Sequence, residues 1–117
     1  MGEMEDDLVA WGRVARIETR GRRSGRPIPV VVGYVDSADG AIIVAATAPQ
    51  AAWALNLLAE PRCRVTIGDE TREAVARPLA GAEHAAAVRD LILRYGTPSE
   101  GLGSGPSFKL TPAAAAS

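Results

Sequence analysis

The stretch "ETRGRRSGRPIPVVV", residues Glu18–Val32, contains the feature around which the rest of the sequence is organised. It contains four arginines, two glycines and a serine, and all of these except Arg20 stand between two segments with strand-like patterns. "VARIETR" (14–20) alternates apolar and polar residues, which is the period of a half-buried strand. "PIPVVVGYV" (27–35) is β-branched and nearly all apolar, which predicts a strand buried on both faces. The stretch is therefore predicted to be a β-hairpin with a basic turn.

Length and composition indicate one small soluble domain. The chain has 117 residues, so we expect a single domain over residues 1–117. Hydrophobic residues make up 47% of the sequence, which excludes a disordered chain, but aromatic residues make up 4%. The core must therefore be built from Val, Ile, Leu and Ala. Such a thin core is often completed by a partner subunit or by a large flat ligand, which favours a homodimer.

Charge and cysteine content exclude several classes of function. The net charge of −1 gives no global attraction to nucleic acid or to anionic membranes, so any basic function must be local. One cysteine and one histidine allow no internal disulfide and no metal cluster. The start "MGEMEDDLVAW" lacks the pattern of a secretory signal, and no apolar run approaches the length of about 20 residues that spans a bilayer. We expect a cytoplasmic protein without an integral membrane segment.

The remaining segments complete an antiparallel pattern. Periodicity and turn residues predict six strands, at 14–20, 27–35, 41–47, 62–68, 71–79 and 108–111. Helical spacing predicts helices at 49–61 and 81–96, and a short acidic helix within residues 1–12. Residues 97–107 are predicted to be a glycine-rich flexible loop, and residues 112–117 a flexible tail. Because the strands are joined by tight hairpins without a βαβ repeat, we expect an antiparallel barrel with helices at its openings.

The basic turn offers three kinds of anion-binding group. Guanidinium groups fork onto phosphate oxygens, a serine hydroxyl donates a further hydrogen bond, and glycine lets backbone N–H groups approach an anion. These groups are carried by Arg22, Arg23, Ser24, Gly25 and Arg26. A solvated hairpin tip explains the same residues equally well. A nucleic-acid patch is disfavoured, because no second basic stripe and no interleaved aromatic residues accompany the turn.

A second group of candidates lies where the third strand leads into the first long helix. The hydroxyl of Thr47 would either bind a ligand at the barrel mouth or cap the following helix. Trp53 and Asn56 are three residues apart and so share one helical face. Trp53 is either a ligand contact or a large core residue, whereas a buried Asn56 amide needs hydrogen-bond partners. His84 is interpreted as structural, and Cys63 lacks the surroundings of a catalytic thiol.

Four segments, "ETRGRRSGRP", "AIIVAAT", "AAWALNLLAEPRCRVTIGDE" and "AVARPLAGAE", resemble the deazaflavin (F420)-dependent nitroreductase family of split β-barrel proteins. The resemblance covers about residues 14–111. The order of the motifs T-x-G-R-x-S-G, V-A-A-[ST] and W-x-x-N-L-x-x-x-P is more specific than any one of them. The resemblance implies a mainly β (α+β) fold, a six-stranded antiparallel split β-barrel with two to three flanking helices. It also implies coenzyme F420 as the cofactor, with FMN as the alternative flavin.

The resemblance further implies roles for individual residues. Arg22, Arg23 and Ser24 would hold the phosphate of the coenzyme, with Gly25 and Arg26 in the same turn. The deazaflavin ring would be lined or flanked by Ala45, Ala46, Thr47, Trp53 and Asn56. Tyr95 would be the candidate catalytic residue, as a proton donor. Tyr34 and ordered water are the remaining proton sources.

The function implied is transfer of hydride from reduced coenzyme F420 to a small hydrophobic, electron-poor acceptor such as a quinone, a nitroaromatic or an activated enone. The alternative is a non-catalytic protein that binds a flavin or another flat ligand. The sequence departs from the family pattern at Ile28 and Ala48, where relatives carry basic residues, and at Ala54, where a tyrosine is usual. The departures at Ile28 and Ala48 remove two cationic contacts to the coenzyme's tail, one of which Arg26 would replace.

Overall fold

The protein is described from a computed structural model, in which residues 3–95 and 104–113 are described. Within these ranges the chain forms three helices and seven strands. The helices are α1 (Glu3–Ala10), α2 (Ala52–Ala59) and α3 (Gly81–Tyr95). The strands are β1 (Ala15–Arg20), β2 (Pro27–Val32), β3 (Val35–Asp36), β4 (Ile42–Ala45), β5 (Arg62–Ile67), β6 (Glu70–Leu79) and β7 (Ser107–Pro112).

The order of the strands makes the sheet curl. All neighbouring strands pair antiparallel in the order β2-β1-β5-β6-β7-β4-β3. The two edge strands, β2 and β3, are consecutive in the chain and are joined by Gly33 and Tyr34 alone. Because so short a connection spans about 10 Å, the two edges of the sheet must come close together. The result is a barrel that is split between β2 and β3, so the predicted α+β split-barrel fold is confirmed.

The structure has seven strands where six were predicted, because the predicted strand 27–35 is broken in the middle. At the break, the backbone N–H of Tyr34 donates a hydrogen bond of 2.9 Å to the Tyr95 hydroxyl, a side chain of α3. Beyond the break, Val35 pairs with Ile43 of β4. A tertiary contact from a residue 61 positions away therefore divides one apolar run into two edge strands.

The prediction that this run is buried on both faces was wrong. β2 is exposed in its first half and half-buried in its second half. It lies at the edge of the sheet, where Pro27 and Pro29 are tolerated because they have no N–H to donate to a further strand. The hydrophobic side chains of an edge strand are free to line a site, and that is their position here.

The core lies inside the curled sheet and is mainly aliphatic. Alternate residues of β1 point inward and are buried, whereas the residues between them are more exposed. Phe108 of β7 is fully buried at the centre, and Trp53 of α2 packs on it with ring centroids 6.0 Å apart. The other large, fully buried side chains are Ile17, Leu57, Leu110, Val44, Thr19 and Ser107. The core therefore anchors α2 against the sheet.

The predicted helices are confirmed with shorter bounds, and β7 extends one residue into the predicted tail. Most of the predicted loop 97–107 and residues 114–117 of the tail lie outside the described residues. Among the described helices, none is long and apolar enough to cross a membrane. The single-domain organisation and the homodimer stay predictions.

Candidate functional site: an apolar groove and a basic turn

An apolar groove of about 410 Å³ opens between the edge strand β2, the end of β4 and the helices α2 and α3. We call it the apolar groove. It is lined by Val14, Val30, Val31, Val32, Gly33, Ala45, Ala46, Thr47, Trp53, Leu91 and Tyr95. None of these residues carries a charged side chain, and the volume is within the range of small-molecule sites. Five of the residues predicted for the site thus line this groove: Ala45, Ala46, Thr47, Trp53 and Tyr95.

The wall formed by the end of β4 is fixed by the segment that precedes β7. The backbone N–H of Ala46 donates to the carbonyl of Pro106 at 2.9 Å. The Ser104 hydroxyl donates to the carbonyl of Thr47 at 3.3 Å. A Cβ atom placed on Gly105 would lie 2.6 Å from the carbonyl oxygen of Ala48. Glycine is therefore required here for the close approach of two backbone segments.

The structure excludes one of the two roles predicted for Thr47, and it places Trp53 both in the core and at the groove. The N-cap of α2 is Ala51, with no side-chain capping bond, so Thr47 does not cap this helix. Trp53 is half-buried: it packs on Phe108 and also lines the apolar groove. It therefore combines the core and groove positions that the sequence left open.

Tyr95 closes the groove and is held by backbone groups. Its hydroxyl accepts the hydrogen bond from the N–H of Tyr34, donates to the carbonyl of Arg13 at 2.8 Å, and lies 3.2 Å from the carbonyl of Tyr34. A Cβ atom on Gly33 would lie 2.9 Å from the Tyr95 ring. The ring thus rests on the bare backbone of Gly33. The proton-donor role of Tyr95 stays a prediction, and it requires exchange of these bonds.

Arg94 packs against the same two tyrosines, Tyr34 and Tyr95. Its guanidinium group lies 4.7 Å from the ring centroid of Tyr34 and 5.5 Å from that of Tyr95, both within cation–π distance. The hydrogen bond with the Tyr95 side chain raises the pKa of Arg94 above its ordinary value. Burial raises the pKa of Tyr34. Sequence reasoning missed Gly33 and Arg94, since no local pattern marks residues that meet through tertiary packing.

The hydroxyl of Tyr95 provides a test that separates a positioning role from a catalytic one. We expect Tyr95→Phe to lower the free energy of unfolding by about 1–2 kcal/mol, because the backbone groups lose their partner. The aromatic ring remains, so binding of a ring-shaped ligand should change less than about threefold. Denaturant unfolding and ligand titration measure the two effects.

Tyr34→Phe is the matched control, since it removes the 2.7 Å bond from the Tyr34 hydroxyl to the carbonyl of Gly12 without touching the apolar groove. If Tyr95 donates a proton in the reaction, turnover falls in Tyr95→Phe alone, by about a hundredfold or more. Equal turnover in both variants would contradict the catalytic prediction for Tyr95.

The basic turn is organised by its own hydrogen bonds. Gly25 adopts φ +70°, which favours glycine, and its N–H donates to the carbonyl of Gly21 at 2.9 Å. The Ser24 hydroxyl accepts a bond from the N–H of Arg26 at 3.1 Å, so it is engaged within the turn. The side chains of Arg22, Arg23 and Arg26 are exposed and make no ion pair or hydrogen bond with the described residues. The turn thus presents three cationic groups from a preformed loop.

The basic turn does not line the apolar groove. Arg22 and Gly25 instead line a second cavity, of about 610 Å³, which we call the arginine cavity. Arg23, Ser24 and Arg26 line neither of these cavities. The arginine cavity is bounded by Glu18, Thr19, Arg20, Gly21, Arg22, Gly25, Pro27, Ala59, Glu60, Arg62, Cys63, Arg64 and Glu73. The predicted site is therefore divided between an apolar part and a cationic part.

Asn56 lies on α2 between Trp53, which lines the apolar groove, and Ala59, which lines the arginine cavity. Its side chain is already hydrogen-bonded within the protein. Its side chain is buried, and its amide donates to the Thr19 hydroxyl at 3.0 Å, joining α2 to β1. The Thr19 hydroxyl in turn lies 3.4 Å from the carbonyl of Ile28, to which it donates. The amide thus has the partner that its burial requires, within the protein itself. Asn56 does not line the apolar groove, and its predicted contact with a cofactor stays a prediction.

Two other residues considered in the sequence analysis, His84 and Cys63, lie in surroundings that indicate a structural role. Nδ1 of His84 lies 2.6 Å from the Ser107 hydroxyl, which is fully buried. Cys63 is buried, and burial, followed by the charge of Glu73, raises the pKa of its thiol to about 12. A thiol with this pKa is protonated at neutral pH and is a poor nucleophile.

The curled antiparallel sheet with flanking helices and a groove at its split defines an α+β split-barrel protein. A family model described as F420H(2)-dependent quinone reductase matches residues 8–97, most of the chain. The chain belongs to this family. The suspected kinship with deazaflavin-dependent proteins is thereby confirmed. Among proteins with curated descriptions, none matches the sequence at a significant level.

Solved structures share the fold at low sequence identity. HutZ, the heme storage protein from Vibrio cholerae, is 21% identical with a TM-score of 0.72, over 96% of this chain and 90% of that one. An F420-H2 dependent reductase, FDR-A, is 22% identical with a TM-score of 0.70, over 84% of this chain and 93% of that one. A conserved protein from Mycobacterium tuberculosis is 21% identical with a TM-score of 0.71, over 97% and 82%. At these identities the likeness shows the fold.

Coenzyme F420 is the cofactor of the family, and the FMN alternative is not needed. The residues present fit such a group. The apolar groove has an uncharged lining, mostly of aliphatic and aromatic residues, which suits a flat ring, and the basic turn has guanidinium groups without partners among the described residues. Ala45, Ala46, Thr47 and Trp53 would hold the ring, and Arg22 and Arg23 the phosphate.

Proposed function

We propose that the protein is an oxidoreductase that uses reduced coenzyme F420 to reduce a small, uncharged, electron-poor acceptor. Quinones are the first class of acceptor, and nitroaromatics and activated enones are further ones. The single observation that carries this proposal is the division of the site. An apolar groove lies beside a turn whose arginines make no ion pair with the described residues, and this matches a ligand with a flat ring at one end and anionic groups at the other.

The bound coenzyme supplies the hydride, and the protein positions the two reactants. Trp53 and the end of β4 both line the groove and provide contact surface for flat molecules. The valines of β2 and Leu91 of α3 exclude water from the reacting faces and favour an acceptor without charge. A quinone that accepts a hydride also needs a proton, and Tyr95 carries the only ionisable side chain among the described lining residues of the groove.

Turnover with a quinone tests the proposal. Reoxidation of reduced coenzyme F420 by menadione, followed by its absorbance, should be at least tenfold faster with the protein than without it. A nitroaromatic and a charged quinone sulfonate serve as comparison acceptors, and the sulfonate should react more slowly because the groove lining is uncharged. Binding of the coenzyme without any acceleration would identify a carrier and contradict the enzymatic proposal.

A further inference from the structure

A third cavity, of about 220 Å³, opens at the end of the barrel where the β3–β4 and β5–β6 hairpins meet. We call it the smaller cavity. It shares no lining residue with the apolar groove or with the arginine cavity. The mouth of a β-barrel is a common position for a ligand site. The proposed function uses neither the floor nor the rim of this cavity.

The floor of the smaller cavity is aliphatic. Ile42 of β4 and Leu110 of β7 face each other across paired strands, and Val65 is added from β5. All three side chains are buried, with at most 8% of their surface exposed. A cavity of about 150 Å³ with such a lining accommodates benzene. The smaller cavity therefore has room for one ring with a short substituent, whereas ligands of the size of a deazaflavin occupy about 300–1,000 Å³.

Charged side chains form the rim of the smaller cavity, and strand pairing shows which face of the sheet they occupy. Asp36 is the cross-strand partner of Ile42, and Arg72 is the partner of Val65. Directly paired residues of antiparallel strands lie on the same face, so both charged residues share the inner face with buried ones. Glu70 precedes Arg72 by two positions and lies on that face as well.

The charges at this rim are not balanced. Nη2 of Arg72 lies 3.1 Å from Oε1 of Glu70, so these two side chains compensate each other. The carboxylate of Asp36 makes no ion pair or hydrogen bond with the described residues. Arg94 lies over the Tyr34 ring but does not line the cavity. With two carboxylates and one guanidinium group, the lining carries one excess negative charge, at Asp36.

Tyr34 provides an aromatic wall next to this carboxylate. Burial, and to a smaller extent the charge of Asp36, raises the pKa of Tyr34, which places the carboxylate near the ring. The ring is held in position because its hydroxyl donates to the carbonyl of Gly12 at 2.7 Å. An aromatic ring beside a carboxylate is a favourable setting for an ammonium group.

We propose that the smaller cavity is a binding site for a small primary amine with an apolar body of about one ring. The body would lie on Ile42, Val65 and Leu110, and the ammonium group would bind the carboxylate of Asp36. Charge complementarity selects a cation over an anion, and the volume selects a single ring. The site is independent of the proposed function, because it shares no residue with the apolar groove or with the basic turn.

Protein NMR with 2-phenylethylamine as the probe tests this assignment. The methyl signals of Ile42, Val65 and Leu110 should shift together, with a Kd of about 1–3 mM, as is ordinary for a ligand of so few atoms. The anion 3-phenylpropionate has a similar shape and the opposite charge, and it should bind at least tenfold more weakly. Equal binding of the anion overturns the assignment, as does a titration in which these methyl signals stay in place.

Two variants separate the carboxylate from the floor. Asp36→Asn leaves the core intact, because Asp36 is exposed, and it should weaken binding of the amine five- to tenfold. Ala74→Leu places a larger side chain in the cavity and should abolish binding. Asp69→Asn is the matched control: it removes the same charge from an exposed residue of the β5–β6 hairpin that does not line the cavity, and binding should stay within twofold.

Two further outcomes would overturn the assignment. An equal loss in Asp36→Asn and Asp69→Asn would mean that the amine is attracted by the overall charge of this surface. If the methyl signals of the floor shift on dilution of the protein without any probe, a second copy of the chain covers the cavity and the assignment to an amine is wrong.

Discussion

Replacement of both Arg22 and Arg23 by alanine is expected to weaken the binding of coenzyme F420 by two to four orders of magnitude. Each charge-assisted hydrogen bond contributes about 1.5–3 kcal/mol, so two of them contribute about 3–6 kcal/mol. The stability of the protein should change by less than about 0.5 kcal/mol, because both side chains are exposed and make no ion pair or hydrogen bond with the described residues.

Fluorescence titration of the coenzyme measures this effect, and denaturant unfolding verifies the fold. The matched control is the double variant Arg72→Ala/Arg89→Ala, which removes the same charge from exposed arginines that pair with Glu70 and Asp90. The control should bind the coenzyme within about threefold of the wild-type protein. Unchanged binding by the Arg22/Arg23 variant would mean that the turn is a solvated hairpin tip. Equal weakening in both variants would indicate a general effect of charge.

The second large effect is expected from Gly105→Ala. The added Cβ would lie 2.6 Å from the carbonyl oxygen of Ala48 and 2.8 Å from that of Ala46. Both atoms belong to backbone, so the two segments must separate. We expect a loss of about 2–3 kcal/mol in the free energy of unfolding, which is a fall in Tm of about 10 °C for a domain of this size.

The same variant should weaken ligand binding, because Ala46 lines the apolar groove. We expect about a tenfold loss of affinity for the deazaflavin riboside, which has neither the phosphate nor the tail of the coenzyme, because the wall of the groove moves. Ser104→Ala is the control: it removes the 3.3 Å bond to the carbonyl of Thr47 but adds no atom, and its cost should stay below about 1 kcal/mol. A Gly105→Ala protein as stable as the wild type would contradict the close approach of these segments.

Much of the fold could be predicted from the sequence because its signals are local. The alternation in β1, the hairpin turns and the two prolines that bracket α2 each act within a few residues. The break at Gly33 could not be predicted in this way. It depends on the Tyr95 hydroxyl, which reaches the backbone only after α3 has packed onto the barrel. The edge position of β2 likewise follows from the closure of the sheet.

The residues of the candidate site also fall into two groups, those that local sequence signals predict and those whose position depends on tertiary contacts. The motif at Ala45–Thr47 and the tryptophan of α2 are local signals, and the structure brings them together in the apolar groove. Asn56 belongs to the same motif, but its amide is engaged by Thr19, a partner that no spacing identifies. Arg62 lines the arginine cavity through the pairing of β5 with β1 and β6, a placement that no local pattern predicts.

The fold by itself does not decide the ligand. A heme storage protein and an F420-H2 dependent reductase have nearly the same likeness to this chain, with TM-scores of 0.72 and 0.70. What distinguishes such proteins is the site built on the shared barrel. In this chain the informative features are the uncharged groove and the turn arginines, which have no partner in the described part of the chain, together with membership of the quinone reductase family.

The most direct test of the account is a crystal structure of the protein with coenzyme F420. We predict that the deazaflavin ring lies in the apolar groove, between Trp53 and the end of β4, with its phosphate at Arg22 and Arg23. A ring found instead in the smaller cavity of about 220 Å³ beside Ile42 and Val65 would contradict the account, as would an apolar groove filled by the polypeptide itself.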